Sequence, residues 1–402
     1  MARQITNWAG VWLGTLLGVL AAFQQFKLPP VLPLLVERYG YSRILAGSFM
    51  SIYAVLGLLF SVWAGRRVQQ RGLGPTLLFA FGLMISGNTL GLIAPQSGAM
   101  MLLSRALEGG SYAVLALVGP VLANASASQR HLPITFALTA AWIPNGQIAA
   151  GLLSGLFIAE EAWKPLWVIG IGATCALAAW TVYLLKRDRL SSVSILRAES
   201  DAVPLTRAQR RALMISAGTF MLWSTQYFAF MTWLPTFLVE VHGANRTLAV
   251  HGYLVPVATL LVFVYVAGFL LRAGVPIVPL LAATLLLQAS VWLLVPFVEG
   301  GAAGIALLVL WGIGAGITPT CLFGLPTTIA SEPAQRPQAF GIVLTGRNLG
   351  VLTGPLLLGG ILTLTADWTL ASPLFATVTL MGTGLAMTLI YLRRARNPAT
   401  SA

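Results

Sequence analysis

The chain has 402 residues, of which 57% are hydrophobic and 9% charged, with a mean hydropathy of +0.83. Soluble domains carry about a quarter charged residues, so a water-soluble enzyme of this size is excluded, as are a disordered chain and a collagen-like rod. Lys and Arg number 24 against 11 Asp and Glu, a net charge of +13. These bases punctuate apolar runs and form no single stripe, which argues against a nucleic-acid partner. Cys175 and Cys321 both lie inside apolar segments and read as small buried hydrophobes, not as a disulfide or metal ligands.

A membrane-spanning helix needs about 20 mostly apolar residues. Twelve such stretches follow in chain order, approximately 8–36, 42–65, 75–95, 99–122, 133–158, 164–186, 210–239, 247–271, 275–297, 302–328, 337–364 and 370–393. The first follows Arg3 and reads as a retained helix, because its apolar run is too long for a signal peptide. Many carry Gly or Pro, which predicts tilt, kinks and close helix contacts. With the N-terminus inside, the inner segments hold 17 of the 24 Lys and Arg, the outer segments 4 (Arg38, Arg43, Lys164 and Arg246), and the spans the rest. The excess of inner bases predicts a multi-pass protein with both termini cytoplasmic. Residues 187–209 form the one long polar stretch. The expected organisation is an N-terminal six-helix bundle (1–186), a cytoplasmic linker (187–209) and a C-terminal six-helix bundle (210–402).

The fifth and eleventh spans can be laid over each other at one offset. Phe136 falls on Phe340, Gly146 on Gly350, Ala150 on Gly354 and Gly155 on Gly359. Just upstream, Gly119-Pro120 and Ala125-Ser126 parallel Gly324-Leu325-Pro326 and Ala330-Ser331. Two homologous halves around a central linker are the expectation.

Several motifs add to this layout. Leu32-Pro33 and then Gly40-Tyr41-Ser42 close the first span, and Gly65-Arg66-Arg67-Val68-Gln69-Gln70-Arg71-Gly72 follows the second. The fourth carries Arg105-Ala106-Leu107-Glu108-Gly109, and the eleventh Gly350-Val351-Leu352-Thr353-Gly354-Pro355, then Gly359-Gly360. Through these residues and the six-plus-six layout, the chain resembles the major facilitator superfamily over nearly its whole length. Gly65 and Gly72 match the glycines of that family's cytoplasmic gate motif, and Gln69 stands where the family carries an acid. Arg105 with Gly109 resembles its Arg-x-x-x-Gly pattern. The resemblance implies an all-α membrane fold of twelve helices in two bundles that rock about a central cavity. Gly350, Gly354 and Pro355 are then expected to pack or hinge helices, since glycines at four-residue spacing let helices approach and slide.

Few ionisable groups lie at depth: Lys27, Arg105, Glu108, Arg347 and, near an outer end, His251. A charge at the bilayer centre costs at least about 2.5–3.5 kcal/mol, so each needs a partner or an aqueous cavity. Arg347 follows Pro337 by ten residues, which at the helical rise is roughly 15 Å into its span. Beside Gly346 and Asn348, its guanidinium is a fork for an anionic solute; a latch onto carbonyls at a broken helix, or a pair with Glu108, is the structural alternative. Lys27, next to Gln24 and Gln25, either contacts solute or snorkels to the outer interface. Arg105 and Glu108 share a helix face and are expected to pair. As the only deep carboxylate, Glu108 is also the candidate proton carrier, with His251 the alternative. In the seventh span Trp223, Tyr227 and Phe230 share a face that packs, or stacks on a planar solute. Trp142, Asn145 and Asn348 are weaker cavity candidates.

No phosphate loop, H-E-x-x-H or serine-histidine set occurs, so ATP hydrolysis and intramembrane proteolysis are not expected, nor any cofactor or metal. The leading expectation is a monomeric secondary transporter of the bacterial inner membrane, not an enzyme, whose partners are a small anionic or carboxylate solute and the lipid bilayer. It would work by proton symport or anion exchange. A proton-coupled exporter of lipophilic compounds is the second reading, and a non-transporting receptor or scaffold the third.

Overall fold

The computed structural model describes residues 5–187, 190, 204–298, 300–330, 332 and 335–394. Most of the expected linker, 191–203, lies outside the described residues. Among the described residues the chain is all helical, and every expected span falls on a helix. The elements are α1 (Trp8–Phe26), α2 (Leu32–Tyr39), α3 (Arg43–Arg71), α4 (Leu73–Ile93), α5 (Gly98–Ala125), α6 (Leu132–Ala140), α7 (Trp142–Phe157) and α8 (Lys164–Lys186). After the linker come α9 (Arg207–Glu240), α10 (Arg246–Arg272), α11 (Ile277–Leu294), α12 (Gly301–Ile329), α13 (Arg336–Thr365) and α14 (Ala371–Arg394).

Two expected spans are broken where proline dictates. Pro29 and Pro30 supply no N–H, so α1 stops at Phe26, a 3-10 turn covers Pro29–Val31, and α2 restarts at Leu32. Lys27 therefore caps a helix end instead of lying mid-helix. In the fifth span, the Pro144 ring disfavours a helical carbonyl at Ala140, and α6 gives way to α7 there. The α13 helix runs unbroken through Pro355, which removes the broken-helix setting considered for Arg347.

Ten segments among the described residues are long and apolar enough to cross a membrane. Of the other two expected spans, α3 contributes a shorter apolar run, Arg43–Gly57. The α9 helix has 34 residues but carries Ser216, Thr219, Ser224, Thr225, Gln226, Thr232 and Thr236, all buried. Its polarity faces the protein interior. Elsewhere large apolar side chains point outward: Leu156 is 69% exposed, Phe269 68% and Leu364 85%. An aqueous protein does not tolerate that belt; a lipid-facing one requires it. Cys175 belongs to it, exposed on the open face of α8 and not buried as its apolar setting suggested, whereas Cys321 is buried.

The chain divides into two compact units: Met1–Ala198 with Ala244–His251, and Glu199–Gly243 with Gly252–Ala402. In the first, α5 packs on α1, α3 and α4, α1 on α7 and α8, and α4 on α8. In the second, α12 packs on α9 and α11, α9 on α13 and α14, and α11 on α14. The α10 helix joins them at Gly312 and Gly316 of α12, where a Cβ would meet the Pro256 and Leu260 carbonyls, so the neighbours correspond helix for helix, as duplicated halves require. Glycine sets the closest of these approaches. A Cβ at Gly146 would stand 2.7 Å from the Val19 carbonyl oxygen on α1; at Gly350 it would stand 2.2 Å from that of Met221 on α9, and at Gly354 2.1 Å from that of Thr225. Only a bare backbone fits there.

Both units tie down the entry to their first helix. Thr6 Oγ1 donates to Ser128 Oγ (2.7 Å) and lies 2.8 Å from His131 Nδ1, while the Asn7 N–H reaches the Ser126 carbonyl. In the second unit Thr206 and Gln209 form a reciprocal cap, and Gln209 Nε2 donates to the Ile329 carbonyl (3.1 Å) and to Gln335 Oε1 (3.0 Å). His131 and Gln335 occupy the same place in the repeat.

Candidate functional site

The interior of the first unit holds a closed ionic cluster at the end of α1. Lys27, Arg105 and Glu108 are each 0% exposed. Lys27 Nζ donates to Gln24 Oε1 (2.6 Å), Asn88 Oδ1 (2.5 Å) and Glu108 Oε1 (3.0 Å), using all three of its protons. It also stands 4.3 Å from the centre of the Trp167 ring. Arg105 Nη1 meets Glu108 Oε2 at 2.5 Å and the Gln24 carbonyl at 2.9 Å, and its other nitrogens reach the carbonyls of Gln25 and Phe49. Tyr53 donates to Glu108 Oε2 (2.6 Å), and the Arg105 guanidinium lies 4.5 Å from the Tyr53 ring centre.

The helix break builds this site. Ending α1 at Phe26 frees the last-turn carbonyls of Gln24 and Gln25, and Arg105 takes both. Five helices converge on the cluster, since Tyr53 comes from α3, Asn88 from α4, Arg105 and Glu108 from α5, and Trp167 from α8. With both bases and the acid ionised it carries one net positive charge. Full burial rules out the snorkelling considered for Lys27. The expected Arg105–Glu108 pair is present, with Lys27 as a second cation on the same carboxylate.

Arg347 is placed differently. It is half-buried on α13, donates to Asn348 Oδ1 (3.0 Å), and lies 5.7 Å from the ring centre of Phe228 on α9. Among the described residues no carboxylate forms an ion pair with it. Glu108, the pairing considered for it, is taken up within the first unit by Lys27, Arg105 and Tyr53.

Beside Phe228 runs a column of rings. Tyr227 meets Phe228 edge-on (5.1 Å between ring centres), stacks on Trp223 at 4.9 Å and on Trp311 of α12 at 5.4 Å, and Trp311 stacks on Phe230 at 4.0 Å. Two reciprocal bonds tie α9 to α11: Trp223 Nε1 donates to Gln288 Oε1 and Trp292 Nε1 to Gln226 Oε1, each at 2.9 Å. The shared face of Trp223, Tyr227 and Phe230 was legible from helical spacing. Trp311, Trp292 and Gln288 come from other helices, and sequence spacing holds no sign of them. Asn88, a lone amide in an otherwise apolar span, is the member of the first cluster that a pattern of charges alone does not mark.

The remaining expected residues lie apart. His251 is exposed. Trp142 packs on Gly18 and lies 6.0 Å from Tyr112, and Asn145 is partly exposed. Gly72 has φ +83° and caps α4, a conformation that favours glycine. Gly65 lies on α3, and the side chain of Gln69 falls outside those described. Pro355 offers its carbonyl to Trp233 Nε1 at 3.1 Å. A separate exposed network joins Arg246 to Glu37 (2.5 Å) and Glu161, and Arg38 to Glu161 (3.4 Å).

The family model described as Major Facilitator Superfamily matches residues 14–334. No curated protein matches the chain.

Proposed function

Because the chain belongs to the major facilitator superfamily, a family of secondary membrane transporters, we propose that it carries a small anionic solute by alternating access, in proton symport or in exchange for another anion. Arg347 carries this reading. Its guanidinium is partly open, lies within an otherwise apolar span and has a neutral amide and a ring face for company. Such a charge is expensive in a membrane unless an anion or water meets it, and a planar fork matches a carboxylate. Lys27 and Arg105 do not compete for the solute, because Glu108, two side-chain amides and backbone carbonyls already occupy their protons.

The same saturation supports a different role for the first cluster. One carboxylate serves two cations, so departure of a single proton from the Lys27–Glu108 pair leaves the cluster neutral. We assign proton coupling to that pair. The excess of inner Lys and Arg supports a bacterial cytoplasmic membrane with both termini inside, and the protein is proposed to act as a monomer.

Counterflow of radiolabelled organic anions into proteoliposomes tests the assignment. Arg347→Gln is expected to abolish counterflow of whichever anion the native protein exchanges, and Glu108→Gln to keep counterflow while losing accumulation driven by a pH gradient. Full anion exchange by Arg347→Gln would refute the role given to that residue.

A further inference from the structure

The ring column of the second unit contains N–H groups with nothing to donate to. An indole only donates, so the amide oxygens of Gln288 and Gln226 must face Trp223 and Trp292, and each NH2 is turned away. Gln226 Nε2 and Gln288 Nε2 are buried without a partner, and so is Trp311 Nε1. All three residues are 0% exposed. Three helices, α9, α11 and α12, thus each contribute one orphan donor beside these rings: Trp311 within the stack, Gln288 through Trp223, and Gln226 through Trp292, which meets Phe230 edge-on at 5.4 Å.

Each such N–H has lost its water and gained nothing, so a group of them calls for a partner. Their clustering is the point. No acceptor and no acid from the described residues answers them, whereas an arriving solute with acceptors on its body would. Phe228 connects this column to the Arg347 guanidinium, its ring centre lying 5.7 Å from the charge and edge-on to Tyr227 at 5.1 Å. A Cβ at Gly314 would stand 2.5 Å from Gln288 Cγ, so α12 lies directly on that side chain and holds its amide in place.

We propose that the transported anion is a planar acid, an aromatic or heteroaromatic carboxylate. Its carboxylate takes Arg347. Its ring lies along the column of Trp223, Tyr227, Trp311 and Phe230, and its ring acceptors take the N–H groups of Gln226, Gln288 and Trp311. This rests on the anion reading of Arg347 and adds the shape and the hydrogen-bonding character of the solute.

The test uses the full chain in detergent, with tryptophan quenching and thermal shift as readouts and four probes: nicotinate, benzoate, cyclohexanecarboxylate and nicotinamide. Benzoate is expected to bind about tenfold tighter than cyclohexanecarboxylate, the scale of an aromatic pairing. Nicotinate, with a ring nitrogen as acceptor, should bind tighter still, and nicotinamide at least about tenfold weaker than nicotinate for want of charge. Trp311→Phe keeps a ring and sacrifices no existing hydrogen bond; it should reduce the advantage of nicotinate over benzoate, the N–H groups of Gln226 and Gln288 remaining. Equal binding of benzoate and cyclohexanecarboxylate overturns the planar solute while leaving the anion reading intact. Equal binding of nicotinate and nicotinamide, unchanged in Arg347→Gln, overturns the anion reading itself. Failure of all four probes to bind overturns the proposal.

Discussion

Replacing Glu108 by Gln keeps the side-chain volume and removes the single negative charge that serves two buried cations. In the native protein its oxygens accept from Lys27 at 3.0 Å, Arg105 at 2.5 Å and Tyr53 at 2.6 Å, all inside a cluster with no exposure. The amide can still accept at one oxygen, but its NH2 confronts a donor. Removing one partner of a buried ion pair destabilises by about 3–5 kcal/mol, because the other charge stays desolvated, and Glu108→Gln is expected to fall in that range. Adding Lys27→Met removes one of the stranded cations and leaves Arg105 with its three backbone carbonyls. The double variant should therefore be less destabilised than the sum of the two singles, by about 0.5–3 kcal/mol. Unfolding of the purified protein, followed by tryptophan fluorescence, measures all three. A loss of under about 1 kcal/mol for Glu108→Gln, or strict additivity in the double variant, would refute the shared-carboxylate account.

Gly350→Ala forces a Cβ to within 2.2 Å of the Met221 carbonyl oxygen and 2.5 Å of Ser224 Cβ. Overpacking of that kind costs about 1–3 kcal/mol, whereas Gly341→Ala on the same helix meets nothing within 4 Å and should gain up to about 1 kcal/mol from helix propensity; thermal unfolding of the two variants compares them directly. Tyr41 donates its hydroxyl to the Pro95 carbonyl, and burial pushes its phenol up from 10 to about 12. Unfolded tyrosine ionises first, so this contribution is complete below pH 10 and is lost as pH rises towards 12; Tyr41→Phe should flatten that segment of the stability–pH curve. Since Gln335 stands at the repeat position of His131, His131→Gln should preserve the clamp on Thr6 and cost under about 1 kcal/mol, while His131→Leu should lower the unfolding temperature.

Hydropathy and periodicity were enough for the spans, since burial in lipid leaves few alternatives to a helix. Proline chemistry explains what they missed. The pair Pro29-Pro30 was visible in the sequence, yet its consequence, two free carbonyls for Arg105, depends on where α5 lies. The deep charges were legible as a set, and the Arg105–Glu108 pair followed from spacing along one helix. Lys27 was ambiguous because the residues that saturate it sit 61 and 81 positions away, beyond any local pattern. Trp223 and Tyr227 announced a ring face, but Trp311 and Gln288 join it only through helix packing. Cys175 misled for a related reason: in a membrane protein an apolar neighbourhood in sequence does not say which face is inward.

Affinity of the exchanged anion for the native protein, Arg347→Lys and Arg347→Gln, measured by isothermal calorimetry, tests the solute's charge most directly. Loss of a charge-assisted hydrogen bond is worth about 1.5–3 kcal/mol, so Arg347→Gln should bind at least about tenfold more weakly, with Arg347→Lys in between. Undiminished affinity in Arg347→Gln would contradict the account.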